Sequence, residues 1–89
     1  MAERNDEAWR QTRAVVEALR QLRVEQGLSQ KDLGDRLGVV QATVAQFESE
    51  FSDPKISTIQ RYARALNVSI QFEIEAQLPL WEGLSDGSR

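Results

Sequence analysis

The residues that could do recognition chemistry stand on one face of a short predicted helix over residues 41–48. Its inward positions are Val44 and Phe47, and the outward face is left to Gln41, Ala42, Thr43 and Gln46. A glutamine amide can bond N6 and N7 of adenine together, and the methyl groups of Ala and Thr suit the thymine methyl group. These residue types could therefore read DNA bases. The alternative is a solvated helix face without a ligand.

The composition offers little for catalysis. The 89 residues include no His and no Cys, which removes the commonest general base and metal ligand and any disulfide framework. No phosphate-cradling Gly loop is present, and Asp32 and Asp35 are more simply first-turn and surface acids of a helix. We therefore expect no enzyme, no cofactor and no metal site.

The net charge of -3 comes from the C-terminal end. Residues 1–27 and 28–66 each carry five basic and five acidic residues, whereas residues 67–89 carry four acids and only Arg89. For nucleic acid, what matters is whether basic side chains share a face. No apolar run approaches the roughly 20 residues of a membrane span, and no leader pattern opens the chain. We expect a cytoplasmic, nucleoid-associated protein without a membrane partner.

Periodicity and capping patterns predict four helices. The first runs over residues 7–26, with an inward stripe of Ala8, Val15, Leu19 and Leu22 and with Gly27 as its terminator. Trp9 is either an anchor of this helix or a partner contact. The second helix covers residues 30–37.

Ser29 and Asp32 form a capping-box pattern at the start of that second helix, and Gly38 turns the chain. The third helix covers residues 41–48 and lacks a capping side chain, because Val40 precedes it. A second capping-box pattern, Ser57 with Gln60, predicts a fourth helix over residues 57–66. Its expected buried stripe is Ile56, Ile59, Ala63 and Leu66, and Asn67 closes it.

Over residues 68–75 the spacing of the apolar residues changes from the helical period of 3.6 to an alternation with period 2. The apolar positions of this predicted β-strand are Val68, Ile70, Phe72 and Ile74. A lone strand leaves its backbone groups unpaired, so the simplest partner is the same strand of a second copy, antiparallel about a two-fold axis. The alternative is an extended arm lying over the core.

The remaining residues, 76–89, are predicted to form a flexible tail. Leu80 and Trp81 are too apolar for an ordinary tail, and a Trp in a short flexible segment is typical of an anchor for a partner pocket. Folding back onto the chain's own domain is the alternative.

The spacing between residues 27 and 67 is that of two short helices across a tight turn. Its informative positions are Gly27, Leu28, Ser29, Gln30, Leu33, Leu37, Gly38, Val39, Gln41, Val44, Phe47, Glu48, Pro54, Leu66 and Val68. With these residues the chain resembles the XRE family of helix-turn-helix proteins, which includes the Cro and cI phage repressors. Within that family it is most similar to HipB-type antitoxins, with HigA-type antitoxins close behind.

The resemblance implies a mainly α, lambda-repressor-like domain of four to five helices over residues 7–67, dimeric, with its third helix in the major groove. It assigns base reading to Gln41, Ala42, Thr43 and Gln46, and it gives Gln30 a phosphate contact and the role of steadying Gln41. It also implies a pair between Arg23 and Glu48. Further candidates for phosphate contact or support are Ser29, Lys31, Lys55 and Arg61.

Three features depart from the family pattern, two single positions and one loop. Gly34 stands where relatives usually have Ala, and we expect both to be small enough for close helix approach. Val40 replaces a polar or basic residue. Glu50 and Asp53 make the loop after the third helix acidic, so phosphate contacts should be weak.

These features together predict a homodimeric, sequence-specific DNA-binding repressor. We expect it to be the antitoxin of a type II toxin-antitoxin pair that binds its own promoter, a double-stranded DNA operator, and a cognate toxin. One alternative is an autonomous phage-type or plasmid-type repressor without a toxin. Another is a protein-interaction module that has lost DNA binding.

Overall fold

Four helices make up most of residues 6–74, which are the residues described by the computed structural model. They are α1 (Asp6–Glu25), α2 (Gln30–Leu37), α3 (Gln41–Glu48) and α4 (Ile56–Ala65). The prediction of a mainly helical helix-turn-helix domain is confirmed. α2 and α3 have the predicted bounds, while α1 and α4 each begin and end one residue earlier than expected.

Local capping sets most of these bounds. The Ser29 hydroxyl accepts from the Asp32 amide, and the Asp32 carboxylate accepts from the Ser29 amide, both at 2.9 Å, so the predicted capping box is confirmed. Gly27, Gly38 and Asn67 have φ angles of 76°, 77° and 64°. This left-handed conformation ends α1, α2 and α4, as expected for Gly and Asn.

The second predicted capping box is wrong. The residue that precedes α4 is Lys55, and it makes no side-chain capping bond. Ser57 lies inside the first turn, where its backbone is already helical. A hydroxyl there cannot take the N-cap role, because that role requires an extended backbone one residue before the helix.

All four helices contribute to one apolar core. Its buried residues are Val16, Leu19, Leu33, Val44, Phe47, Ile59, Tyr62, Ala63 and Leu66. The stripes expected for α1 and α4 need correction. Val16 is fully buried, Val15 and Leu22 pack at its edge and Ala8 is exposed. In α4, Ile56 is 57% exposed, and Tyr62, which the predicted stripe omitted, is buried.

Tyr62 joins the core through its ring. The ring stacks on Phe47 of α3, with centroids 4.1 Å apart and planes inclined by 21°. Such pairs add about 0.5–1.5 kcal/mol beyond the burial of their apolar area. The contact packs α3 against α4, and Leu33 of α2 is buried in the same core.

After α4, residues 68–74 have no regular secondary structure. Val68 and Ile70 are half-buried against the core, while Phe72 is 50% and Ile74 is 96% exposed. Residues 68–74 of this single chain are not paired as a strand. Residue 75 and the predicted tail, including Leu80 and Trp81, lie outside the described residues.

Candidate nucleic-acid interface

The predicted reading face of α3 is open to solvent. Gln41, Ala42, Thr43 and Gln46 are all exposed, while Val44 and Phe47 on the opposite side of the helix are buried in the core. A helix of eight residues with one face anchored presents its other face in a fixed orientation. The structure therefore brings the four predicted base-reading residues together on one surface.

The turn between α2 and α3 is tighter than expected. A Cβ atom added to Gly34 would lie 2.8 Å from the carbonyl oxygen of Val39. The Gly34 carbonyl also accepts from the Val39 amide at 2.9 Å. The expectation that Ala would fit equally well at this position is therefore wrong, since it requires the turn backbone to move.

Behind the reading face, the structure joins Arg23 of α1 to Glu48 at the end of α3. The Nε atom of Arg23 donates to Oε2 of Glu48 at 2.7 Å, and Nη2 donates to Oε1 at 3.0 Å. The two side chains are only 9% and 4% exposed. Arg23 also donates from Nη1 to the Leu28 carbonyl at 2.7 Å, which ties the end of α1 to the start of the α2 cap.

Two further donors reach the same carboxylate. The Tyr62 hydroxyl donates to Oε2 of Glu48, and Nε2 of Gln30 donates to Oε1 at 3.0 Å. Sequence reasoning missed both links. Tyr62 was not recognised because the α4 stripe was assigned to Ile56, and the Gln30 link could be found only from the tertiary packing of α2 on α3.

These contacts set the protonation of the cluster. Burial opposes ionisation of Glu48, but hydrogen bonds from Arg23, Tyr62 and Gln30 outweigh it, and the pKa of the carboxyl is lowered. Burial and the Glu48 hydrogen bond raise the pKa of the Tyr62 hydroxyl. The hydrogen bond from Arg23 to Glu48 raises the guanidinium pKa. At neutral pH the cluster is therefore an ionised pair with a neutral phenol.

The cluster extends to the reading face through one more hydrogen bond. Nε2 of Gln41 donates to Oε1 of Gln30 at 3.4 Å, which is longer than the roughly 2.7–3.2 Å usual for such a bond. Gln30 is half-buried and Gln41 is exposed. The predicted support of Gln41 by Gln30 thus corresponds to a hydrogen bond between the two side chains. Gln30 in turn is bonded to Glu48 of the ion pair.

The basic candidates differ in their surroundings. Arg61 lines a cavity of about 70 Å³ between α3 and α4 together with Thr43, so it lies beside the reading face. Lys55 is exposed just before α4. Lys31 pairs with Asp35 at 3.3 Å on an exposed surface. Ser29 lies at the start of α2, where its hydroxyl accepts the capping bond.

The acidic loop after α3 is held in place. The Ser52 hydroxyl donates to the Phe47 carbonyl at 2.6 Å, and Nη1 of Arg13 donates to the Ser52 carbonyl and hydroxyl oxygens at 3.3 and 3.2 Å. Ser52 is buried, while Phe51 beside it is 81% exposed. Glu50 and Asp53 are exposed on either side. A groove of about 360 Å³ connects this loop to Thr43 and Gln46.

Among residues 6–74, no group of His, Cys, Asp and Glu side chains is arranged to hold a metal ion. No helix within this range has the length and hydropathy needed to cross a membrane.

The chain matches a protein-family model and the sequences of known proteins. Residues 19–72 match the family model described as Helix-turn-helix. The chain is also 46% identical over 79 residues to Antitoxin HigA1 from each of two strains of Mycobacterium tuberculosis. The alignment covers 84% of this chain and 53% of each relative, so the chain spans about half the length of these proteins. No solved structure gives a significant match.

The family match covers more than half of the chain, and it includes all of α2, α3 and α4 with the turn between them. The relatives add a similarity to a HigA protein that extends beyond the matched domain. The chain therefore belongs to the helix-turn-helix family, of the XRE type, and is similar to HigA antitoxins.

Proposed function

We propose that this protein is a sequence-specific DNA-binding repressor that acts as an antitoxin and is not an enzyme. The observation that carries the proposal is the exposed face of α3, with Gln41 braced through Gln30 to a buried ion pair. Gln41, Ala42, Thr43 and Gln46 read base edges in the major groove. Gln30 and Ser29 support the start of α2 at the DNA backbone.

Backbone affinity comes from a small basic set. Arg61 and Lys55 contact phosphates beside the reading face, and Lys31 contributes less because Asp35 competes for its charge. The acids Glu50 and Asp53 lower the potential near the groove, so non-specific affinity is weak and falls further with salt. Such a protein acts where its operator is, on nucleoid DNA in the cytoplasm.

A pair of variants tests base reading against backbone binding. Gln41→Ala should remove preference for the operator over unrelated DNA, whereas Arg61→Ala should weaken binding to all sequences alike. The assay measures how much DNA from upstream of the protein's own gene is retained by the protein at several salt concentrations. If neither variant changes retention, α3 is not the reading helix. If the wild-type protein binds no genomic fragment even at low salt, a protein-interaction module is the better assignment.

We propose further that the protein is a homodimer formed through residues 68–75. Phe72 and Ile74 are exposed on one chain, and pairing the segment with its copy about a two-fold axis would cover them and satisfy the backbone. A chain that ends at Asn67 should sediment as a monomer while the full chain sediments as a dimer. A dimer of equal affinity for both chains would exclude this segment, and Val68 and Ile70 would then belong to an arm on the core.

The antitoxin assignment rests on the relatives named Antitoxin HigA1. We propose a cognate toxin that binds the C-terminal segment through Leu80 and Trp81. A Trp81→Ala variant should no longer bind the toxin, and it should keep its preference for the operator over unrelated DNA. A toxin-like reading frame beside this gene supports the pair, and its absence favours an autonomous repressor.

A further inference from the structure

Four donors converge on the Glu48 carboxylate, and they leave it no freedom to rotate. Arg23 supplies two of them, at 2.7 Å to Oε2 and 3.0 Å to Oε1. The Tyr62 hydroxyl donates to Oε2, and Gln30 donates to Oε1 at 3.0 Å. Each carboxylate oxygen therefore accepts two hydrogen bonds in a side chain that is 4% exposed.

The fixed carboxylate determines the orientation of two side-chain amides, that of Gln30 and, through it, that of Gln41. An ionised carboxylate only accepts hydrogen bonds, so the NH₂ group of Gln30 must face Glu48. The Gln30 carbonyl oxygen is then directed towards Gln41 at the start of α3, where it can only accept. Gln41 turns its own NH₂ group towards this oxygen, with 3.4 Å between Nε2 of Gln41 and Oε1 of Gln30.

We propose that Glu48 is a positioning residue for base recognition, which sets the direction of the Gln41 amide through Gln30. The inference rests on the proposed base reading by α3. With one N–H of Gln41 bonded to Gln30, the second N–H and the carbonyl oxygen remain for the base. The N–H lies on the side of Gln30 and the oxygen lies away from it.

That direction distinguishes the two orientations of an A·T pair. Adenine offers the N7 acceptor beside its own strand and the N6 donor nearer the centre of the groove. The Gln41 amide matches this order when adenine is on the strand whose phosphates face the start of α2. In the reversed pair, thymine presents its methyl group and O4 there instead. Guanine is disfavoured as well, because its O6 acceptor would meet the Gln41 oxygen.

Tyr62 and Arg23 hold the Glu48 carboxylate in place, and the orientations of the Gln30 and Gln41 amides depend on that carboxylate. Without Tyr62, one lone pair of Oε2 is free and the carboxylate can tilt. Without a carboxylate, as in Glu48→Gln, the side chain at position 48 can present either an oxygen or an NH₂ group to Gln30. The order of both amides is then no longer imposed, although the same residues still stand on the reading face.

The direct test measures the amide order in the free, full-length protein. In isotope-labelled protein we expect a scalar coupling across the hydrogen bond from the Gln30 side-chain nitrogen to the Glu48 carboxyl carbon. Absence of this coupling overturns the proposal. This measurement needs no DNA, so it is independent of the proposed function.

The functional test is selection from randomised duplexes. The base pair read by Gln41 is the one whose preference disappears in Gln41→Ala. At that pair the wild type should favour A·T over T·A by about tenfold or more, and Glu48→Gln should reduce the ratio to within about twofold. Glu17→Gln makes the same chemical change on exposed α1 and should leave the ratio unchanged.

Gln30→Met covers the case in which Glu48→Gln does not fold. It keeps Arg23, Glu48 and Tyr62 together and removes both hydrogen bonds of Gln30, the one to Glu48 and the one from Gln41, so the preference for A·T over T·A should be lost as well. A retained ratio in Gln30→Met overturns the positioning role while base reading by α3 stands. Loss of every base preference in the wild type overturns both proposals.

Discussion

Replacing Arg23 by Met should be one of the most damaging single changes in this domain. The substitution keeps most of the aliphatic volume but removes all three hydrogen bonds of the guanidinium, two to Glu48 and one to the Leu28 carbonyl. Glu48 is then a charge that is 4% exposed and has lost its counterion. Breaking a buried pair in this way costs about 3–5 kcal/mol.

That cost is large for a domain of this size. At about 0.05–0.15 kcal/mol per residue, 89 residues give a free energy of unfolding of about 4–13 kcal/mol. With a urea dependence of about 1–3 kcal/mol/M, the midpoint of unfolding should fall by roughly 1–5 M. The assay is urea unfolding followed by far-ultraviolet circular dichroism, at one protein concentration because dimerisation would add to stability.

A compensated variant separates the lost ion pair from lost packing. Arg23→Met combined with Glu48→Leu and Tyr62→Phe removes the charge, its counterion and the hydroxyl together, and it should recover most of the loss. A single Arg23→Met variant that loses less than about 1 kcal/mol would refute the reasoning. So would a triple variant as unstable as the single one, because packing rather than charge would then be the cause.

The same variant predicts a pH dependence with a defined sign. In the wild type the pKa of Glu48 is lowered from its usual 4.5, so its contribution is complete above that value and is lost as pH falls through the lowered pKa. In Arg23→Met, burial should instead raise this pKa, and protonation relieves the buried charge. The stability difference between the two proteins should therefore shrink as pH falls from about 7 to about 4.

Four further substitutions make three tests of the local structure. Ser29→Ala should cost about 1 kcal/mol in thermal unfolding by removing the α2 cap, whereas Ser57→Ala should stay within about 0.5 kcal/mol because Ser57 caps nothing. Gly34→Ala gains about 1 kcal/mol of helix propensity but loses about 1–3 kcal/mol to overpacking at the turn; a variant more stable than the wild type would show that the turn relaxes freely. Arg13→Met should speed amide hydrogen exchange around Ser52 without changing exchange in α2; unchanged exchange would mean that the Phe47 contact alone holds the loop.

The helices were predictable because their signals are local. The Ser29 to Asp32 capping box, Gly38 and Asn67 each act within one turn of the chain, and they fixed the bounds of α2 and the end of α4. One error concerned the start of α4. Ser57 has the residue type and spacing of a cap, yet the helix begins at Ile56, after Lys55, which makes no side-chain capping bond.

The candidate site was predictable only in part. The outward residues of α3 follow from helical periodicity once Val44 and Phe47 are assigned inward, and the resemblance to a known family supplied the pairing of Arg23 with Glu48. Neither source indicated Tyr62. A tyrosine in an amphipathic helix is compatible with a surface or a core position, and its hydroxyl finds Glu48 only after α3 and α4 have packed.

The sequence by itself determined the four helices, the turn and the composition of the reading face, because periodicity and capping act over a few residues. Tertiary structure decided which charged groups are buried and how they are connected. Arg23, Glu48 and Tyr62 come from three different helices, and a buried carboxylate is tolerable only where several donors meet it. In our proposal, the orientation of the Gln41 amide follows from these tertiary contacts with Glu48, and no local feature of α3 sets it.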